Sequence, residues 1–369
     1  MDGLAITNKE FELFTEEEIK TLIPKSKTHI KDSAVFFTGE KRDLMKLAYK
    51  AQSVKRIIIY LADFEFGSLD DIEEKSKIDY SKYISSDDKF RVNCETVDCS
   101  ISSQDIERAV GKNVPFAVDL KNPDKSIFCY VFKNHCYIGF DISGKDLSKR
   151  YYKIFSDAGS IKGTLAYFLL RIAGYSGKEI LLDPFSGSGT IPIEAAYMSS
   201  GLSLNYYCKD DLFFAKFDVF RDLTDNFFKE EDADTKEPPK SPNIFAYDNQ
   251  LSKVNSVKKN AKIAGLSKFI SLGRGEVDWI DTKFEENSVD YVVSNPPRWN
   301  KFNDKKNTKM FEQFFHRIKP VVKKSGVIAL LTNSEKVVKI AADKGFFLKN
   351  KKSFSIGNNI YHILVFNKK

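Results

Sequence analysis

Along the first third of the chain the apolar positions switch repeatedly between two spacings. Residues 15–23 set Ile19, Leu22 and Ile23 among Glu and Lys, and residues 41–52 repeat the spacing with Leu44, Leu47 and Ala48, which predicts helices. Ala34-Val35-Phe36-Phe37 and Arg56-Ile57-Ile58-Ile59-Tyr60-Leu61 are β-branched or aromatic runs and read as strands, and Leu69-Asp70-Asp71-Ile72 opens a further helix. From Lys89 a second unit begins. Phe90-Arg91-Val92-Asn93-Cys94 alternates as a strand, and Ser102 caps a helix that runs through Val110 to Gly111. Residues 116–120 form a strand, Asn122-Pro123-Asp124 is turn chemistry, and residues 126–133 and 136–141 form a hairpin across Asn134. This succession suits a small α+β domain.

After Ile161 the pattern becomes a regular strand-then-helix alternation. Helix 162–174 leads into the apolar strand 179–183, which ends in Asp183, and helix 190–200 follows. Strand 243–248 ends in Asp248 and precedes a helix reaching Gly265. Strands at 268–272, 288–294 and 326–331 come next, and two adjoining strands, 346–354 and 359–366, close the chain. Repeated βα units predict a parallel, doubly wound α/β sheet, and the final pair predicts one antiparallel edge. Residues 209–242, rich in Asp, Lys and Phe and holding Pro238-Pro239, read as an insertion between the first helix and the second strand of that sheet.

Charge adds a partner class. The chain of 369 residues has a net charge of +7, and residues 298–369 alone carry 17 Lys and Arg against 4 Asp and Glu. Residues 1–165 are nearly neutral, with 26 basic and 27 acidic side chains. A one-signed field in the last fifth of the chain points to a polyanion, nucleic acid before a membrane surface; a solvated lysine-rich face is the plainer reading. No apolar run approaches the ~20 residues of a membrane span, and the start Met1-Asp2-Gly3 lacks the features of a signal peptide. The five cysteines include no C-x-x-C pair, which favours reduced intracellular thiols over a disulfide framework or a zinc ribbon; no metal site is expected.

Three local patterns carry chemistry. Asp183-Pro184-Phe185-Ser186-Gly187-Ser188-Gly189-Thr190 takes a strand through a glycine turn into a helix, where backbone N–H groups face a ligand. A P-loop would need Gly-Lys-Ser/Thr, and a dinucleotide fingerprint would need a third glycine where Pro192 stands. The remaining reading is S-adenosylmethionine, with the strand-end acid and the glycine turn holding its amino-acid part. Asp248 ends the next strand and can accept from both ribose hydroxyls, although an Asp after a strand also serves as a helix cap. Asp278 can accept from an adenine amino group, with Glu276 and Asp281 as neighbours that compete. Lastly, Ser294-Asn295-Pro296-Pro297-Arg298-Trp299 ends a strand in a rigid turn. The Asn295 side-chain oxygen and the Pro296 carbonyl can together accept two hydrogen bonds from an exocyclic amine and so orient its nitrogen.

Taken together, these motifs resemble the THUMP-domain RNA guanine-N2 methyltransferases, over nearly the whole chain. Phe90-Arg91-Val92, Gly111, Val118-Asp119-Leu120-x-Asn122-Pro123-Asp124, Ile138-Gly139-Phe140-Asp141 and Leu147-x-Lys149-Arg150-x-Tyr152 resemble the THUMP part. Ile161-Lys162-x-Thr164-Leu165-Ala166, the run from Asp183 to Ala196, and Asn295-Pro296-Pro297 resemble the catalytic part. The resemblance implies a ferredoxin-like region at 1–88, a THUMP domain at 89–152 and a Rossmann-like methyltransferase domain at 153–369. It implies methylation of a guanosine N2 in structured RNA, most simply tRNA, by a cytoplasmic monomer. Ribosomal or other small RNA, or an RNA-binding relative with altered catalysis, is the alternative; a DNA adenine methylase would leave residues 90–152 unexplained. The cofactor set would be Asp183, Phe185, Gly187, Gly189, Thr190, Asp248, Asn249, Asp278 and Asn295, and the catalytic set Asn295, Pro296 and Pro297. The family's usual aromatic after the two prolines is replaced by Arg298, so that Arg298 or Trp299 would stack on the base. Lys149, Arg150, Lys162, Lys301, Lys305 and Lys306 are the basic positions expected to face RNA.

Overall fold

A computed structural model describes residues 1–357 and 359–369, and Lys301 by its backbone alone. The chain divides into two compact units, one of residues 1–148 and 203–234, the other of residues 149–202 and 235–369.

The first unit is built on one mixed sheet of eight strands: β1 (Asp2–Ile6), β2 (Thr28–Lys31), β3 (Ala34–Thr38), β4 (Arg56–Glu65), β5 (Lys89–Val97), β6 (Ala117–Val118), β7 (Lys125–Phe132) and β8 (His135–Asp141). Their spatial order is β2-β3-β1-β4-β8-β7-β5-β6. Helices α1 (Glu12–Leu22), α2 (Lys41–Lys50), α3 (Leu69–Lys75) and α4 (Ser103–Gly111) accompany it. The ladder β4–β8, with Ile59 opposite Phe140, runs across the boundary expected near residue 88, so the two segments expected to be separate domains share a sheet. Gly139 makes this pairing possible: a Cβ there would lie 2.1 Å from the Ile59 carbonyl oxygen. The strand expected at 116–120 shrinks to Ala117–Val118, because the Asp119 carboxylate accepts the N–H groups of Lys121 and Asn122 and turns the chain away. Strands β1 and β2 were not expected; each is short, and β2 lies mostly exposed at the sheet edge.

Residues 203–234, which fall in sequence between two elements of the second unit, belong to the first. The insertion expected at 209–242 is therefore a core segment over most of its length. It contains the helix 218–232, and its Leu212, Phe214, Phe217, Phe220 and Phe227 are buried in the same apolar cluster as Tyr49 and Phe140. Phe217 meets Phe140 edge-on with ring centres 5.8 Å apart, and Asp232 accepts the Tyr49 hydroxyl at 2.9 Å. Periodicity could not reveal this, since it reports that a face is apolar and not what covers it.

The second unit is the expected doubly wound sheet. Its strands are β9 (Leu181–Asp183), β10 (Ile244–Asp248), β11 (Ile270–Arg274), β12 (Val289–Ser294), β13 (Val322–Thr332), β14 (Phe346–Ile356) and β15 (Asn359–Lys368). Their order is β11-β10-β9-β12-β13-β15-β14, parallel from β11 to β13, with β15 antiparallel to both neighbours. Helices α5 (Gly163–Ala173), α6 (Thr190–Ser200), α8 (Leu251–Ile263), α9 (Asp304–Val321) and α10 (Lys336–Asp343) pack on it, where α7 denotes the helix 218–232 of the first unit. Strand order reverses between β9 and β12, and in open α/β sheets ligands bind in the crevice that this reversal leaves at the carboxyl ends of the strands.

The segment entering this unit is held by a buried ion pair. Arg150 donates from Nε and Nη2 to the two Glu194 oxygens at 2.8 and 3.0 Å, and the Tyr152 hydroxyl donates to the same carboxylate at 2.7 Å. Arg150 is therefore not available to RNA, contrary to the sequence reading; its guanidinium is enclosed and its charge is neutralised on α6. Glu194→Ala should strand that guanidinium in the interior. The expected cost is about 3–5 kcal/mol, read as a shift of the second unit's urea transition in the full chain.

Candidate functional site

The sheet's reversal point opens into a cavity of ≈ 690 Å³ within the second unit. The short turn after β9 supplies Asp183, Pro184, Phe185, Ser186, Gly187, Ser188 and Thr190, β10 supplies Asp248 and Asn249, and the turn after β12 supplies Asn295, Pro296, Pro297 and Arg298. Gly187 has φ +53°, and a Cβ on it would meet nothing within 4 Å, so the loop presents bare backbone. Gly189, expected in the same wall, lies beneath it: its φ is +87°, and a Cβ would come 2.6 Å from Val257 on α8.

Asp183 is the electrostatic centre. It is buried, and Oδ1 accepts from the Ser294 hydroxyl at 2.5 Å and from the Phe185 N–H at 3.2 Å. The first of these bonds joins β9 to β12 across the reversal point. Oδ2 is enclosed and has no hydrogen-bond partner. Burial pushes the carboxyl up to about 7, against the lowering effect of the Ser294 and Phe185 hydrogen bonds, and nearby Asp248 raises it further. Asp248 itself accepts the N–H of Gly187 at 3.1 Å and of Gln250 at 3.0 Å, so it ties the glycine turn to the start of α8. A carboxylate has about four acceptor positions, which leaves two for a ligand.

Asn295 donates Nδ2 to the Gly159 carbonyl at 3.1 Å. That bond assigns the amide orientation and leaves Oδ1 as an acceptor. Asp278 accepts from Gln313 Nε2 at 3.2 Å and lines the same cavity. Arg298 is exposed, and its guanidinium lies over the Tyr361 ring at 5.4 Å. Trp299 departs from expectation: it is buried, stacked on Phe311 at 5.7 Å, with its indole N–H donated to Asp304 at 2.8 Å. It is part of the core and presents no face to the cavity.

Of the remaining basic positions, Lys306 lines the cavity, and Lys149, Lys162 and Lys305 are exposed; the Lys301 side chain lies outside the described residues. Sequence reading missed the loop before α5, where Asp157, Gly159, Ser160 and Ile161 close one wall and the Ser160 and Ser188 hydroxyls bond at 2.6 Å. It also missed Asn307 on α9, a buried side chain whose Nδ2 is an unpaired donor in the cavity wall. Apart from Ile161, which opens a motif quoted above, no motif marks these residues; only the fold assembles them.

The lining suits a ligand with both signs of charge. Asp157, Asp183, Asp248, Glu276 and Asp278 contribute negative charge, and Lys253, Arg298, Lys306 and Lys309 contribute positive charge. The unpaired Asp183 oxygen and the open cradle at Gly187 fit S-adenosylmethionine, which offers an ammonium, a sulfonium and a carboxylate. Among the described residues no cluster of His, Cys, Asp or Glu is placed to hold a metal ion, and no helix is long and apolar enough to cross a membrane.

Comparison with known proteins bears on the same residues. Residues 150–361 match the family described as RMKL-like, methyltransferase domain, and residues 67–141 match the THUMP domain. A tRNA (guanine(6)-N2)-methyltransferase of Methanocaldococcus jannaschii is 27% identical over 94% of each chain. A ribosomal RNA large subunit methyltransferase K/L of Alteromonas mediterranea is 24% identical, and the match takes in 95% of this chain but 52% of that one. Among solved structures, the putative methyltransferase SMU.472, complexed with SAH, superposes with a TM-score of 0.83 at 19% identity, covering 100% of this chain and 98% of the other.

The Asp183 carboxyl generates a pH prediction. Its proton affinity is raised from 3.8 to about 7 only in the folded chain, so folding takes up a proton between those values. Its contribution to stability is thus greatest below about pH 4, falls as pH rises to about 7, and is level above. Melting wild type and Asp183→Asn side by side should show the wild type losing ground across that window and no further above it.

Proposed function

This chain belongs to the RMKL-like methyltransferase family and carries a THUMP domain, an S-adenosylmethionine-dependent RNA methyltransferase, and we propose that its acceptor is the exocyclic N2 of a guanosine in tRNA. The observation that carries this reading is Asn295-Pro296-Pro297 set at the end of β12, in one cavity with Asp183 and with the Asn295 amide oriented by Gly159. The likeness to a tRNA guanine-N2 enzyme along 94% of both chains supports the choice of base and RNA. The same proposal includes a cytoplasmic, monomeric enzyme.

S-adenosylmethionine supplies a methyl group already activated by its sulfonium. Asp183, with its unpaired oxygen, would hold the cofactor's ammonium, and the backbone of Phe185, Gly187 and Thr190 would line its amino-acid end. Asp248 and Asn249 would take the ribose hydroxyls, and Asp278 the adenine amine. The target base leaves its stack to enter the cavity. Asn295 Oδ1 and the Pro296 carbonyl accept the two N–H groups of the amine, which draws its lone pair out of conjugation and aims it. Pro297 keeps the turn rigid. After transfer the nitrogen carries an extra proton and is acidic enough to lose it to water, so no strong general base is required.

Three measurements follow from these assignments. Incubation with labelled S-adenosylmethionine and separate tRNA and ribosomal RNA, followed by nucleoside analysis, should yield N2-methylguanosine in tRNA; label only in ribosomal RNA, or in an adenine, overturns the acceptor. Asn295→Ala should slow single-turnover transfer about 10²–10³-fold, by analogy with a lost oxyanion-hole donor, with tRNA affinity unchanged. Asp248→Ala should weaken cofactor binding by about 1.5–3 kcal/mol, the usual worth of a hydrogen bond to a charged group, measured by calorimetry.

A further inference from the structure

The turn that follows Trp299 displays a side chain that the fold does not use. Phe302 is 100% exposed, the extreme among the large apolar residues described. Its neighbours Asn300 and Asn303 line the cavity, and Phe302 does not. The ring therefore stands at the rim, directed away from the cavity and toward solvent.

That position is braced. Asn300 caps the single turn 301–303 by accepting the Asn303 N–H at 2.8 Å. Trp299 anchors the start of the segment: its N–H is donated to Asn333 and its carbonyl accepts from the same amide, both at 2.9 Å, while its indole lies on Phe311. Asp304, which takes the indole N–H, also pairs with Lys336 at 2.6 Å. A phenyl ring fully in water forgoes roughly 1.5–3 kcal/mol of burial, and here the backbone that carries it is held by hydrogen bonds on either side, so covering the ring would order only the side chain. Around it the surface is basic: Lys305, Lys306 and Lys309 on the first turns of α9 are exposed, and Lys306 and Lys309 reach the cavity wall.

We propose that Phe302 stacks on a nucleotide beside the one being methylated, covering the base face that is laid bare when the target leaves its stack. This rests on the RNA-methyltransferase reading above. An aromatic ring outside a cavity that admits one base is placed for a neighbour that stays outside, and the adjoining lysines suit its phosphates. Base flipping costs a few kcal/mol, and stacking on a protein ring returns an amount of the same order. Phe302 would thus stabilise the flipped state rather than hold the reacting base, while Trp299 serves as its anchor.

The test uses the full chain and bulk tRNA as the probe. Phe302→Ala should weaken tRNA binding and lower kcat/KM about tenfold, with cofactor affinity and melting temperature unchanged. Phe302→Trp should restore both, and in a Trp279→Phe background, where Trp299 also emits, it should add fluorescence that tRNA quenches beyond any change in the same background with Phe302 in place. In a single tRNA transcript whose methylated guanosine the nucleoside analysis above has located, removing the base on one side of it or the other should bring the wild type down to the Phe302→Ala level and leave that variant unaffected. Unchanged tRNA affinity in Phe302→Ala overturns the proposal, and so does an affinity loss without quenching of Phe302→Trp, which would make the effect structural. The function stands or falls separately: a wild type that methylates tRNA while Phe302→Ala is normal loses only this inference. Quenching by tRNA with no methyl transfer to any RNA would instead keep the stacking and reject the proposed reaction.

Discussion

A single hydrogen bond sets the geometry on which the site depends. Ser294 donates to Asp183 where the strand order of the second sheet reverses, and so closes the gap between β9 and β12 that has no direct ladder at its carboxyl end. Each partner is the last residue of its strand, and each is followed at once by functional sequence, Pro184-Phe185 on one side and Asn295-Pro296 on the other. The bond therefore fixes the separation of the two loops that the proposed reaction needs together. It also consumes only one oxygen of a buried carboxylate. The other is enclosed without a protein partner, a state that burial penalises and a cationic ligand relieves.

From that centre the cavity is organised by hydrogen bonds that orient rather than by bulk. Asp248 holds the glycine turn by its backbone, Gly159 holds the Asn295 amide, and Gln313 holds Asp278. Each acceptor keeps capacity for a ligand while its own direction is set by protein. Such a site loses little freedom on binding, which is what positioning chemistry demands when the methyl donor is already activated. The buried pair of Arg150 and Glu194 does comparable work at a distance, because it seats the chain that leads to the loop 157–161.

The doubly wound sheet was readable because β9, β10, β12 and β13 each contain an apolar run with a helical pattern near it, and the glycine turn and Asn-Pro-Pro because few other backbones accept those residues. What could not be read was the fate of individual side chains. Arg150 and Lys149 are adjacent and alike in charge, yet one is enclosed against Glu194 and the other is exposed; the carboxylate that decides this lies 44 residues away. Arg298 and Trp299, either of which was expected to stack on the base, likewise part ways in the fold. The indole finds Phe311 and Asp304 beneath it and is buried, and the guanidinium stays outside over Tyr361. In the first unit the hairpin and helices were expected, but the ladder from β4 to β8 joins segments some eighty residues apart, and local pattern is silent on pairing at that range.

The threading of residues 203–234 has a consequence for how the protein is made. The first unit's apolar centre stays incomplete until Phe227 has been synthesised, by which time α5, β9 and α6 of the other unit have also left the ribosome. Folding in order of synthesis is thus interrupted: the amino-terminal sheet waits with an open seam around Tyr49 and Phe140 while a foreign strand and two helices emerge. A gene cut after residue 148 encodes that waiting state and not a finished module. Each unit is compact but drawn from two stretches of chain, and recombination that exchanges one for another must carry two pieces of chain at once.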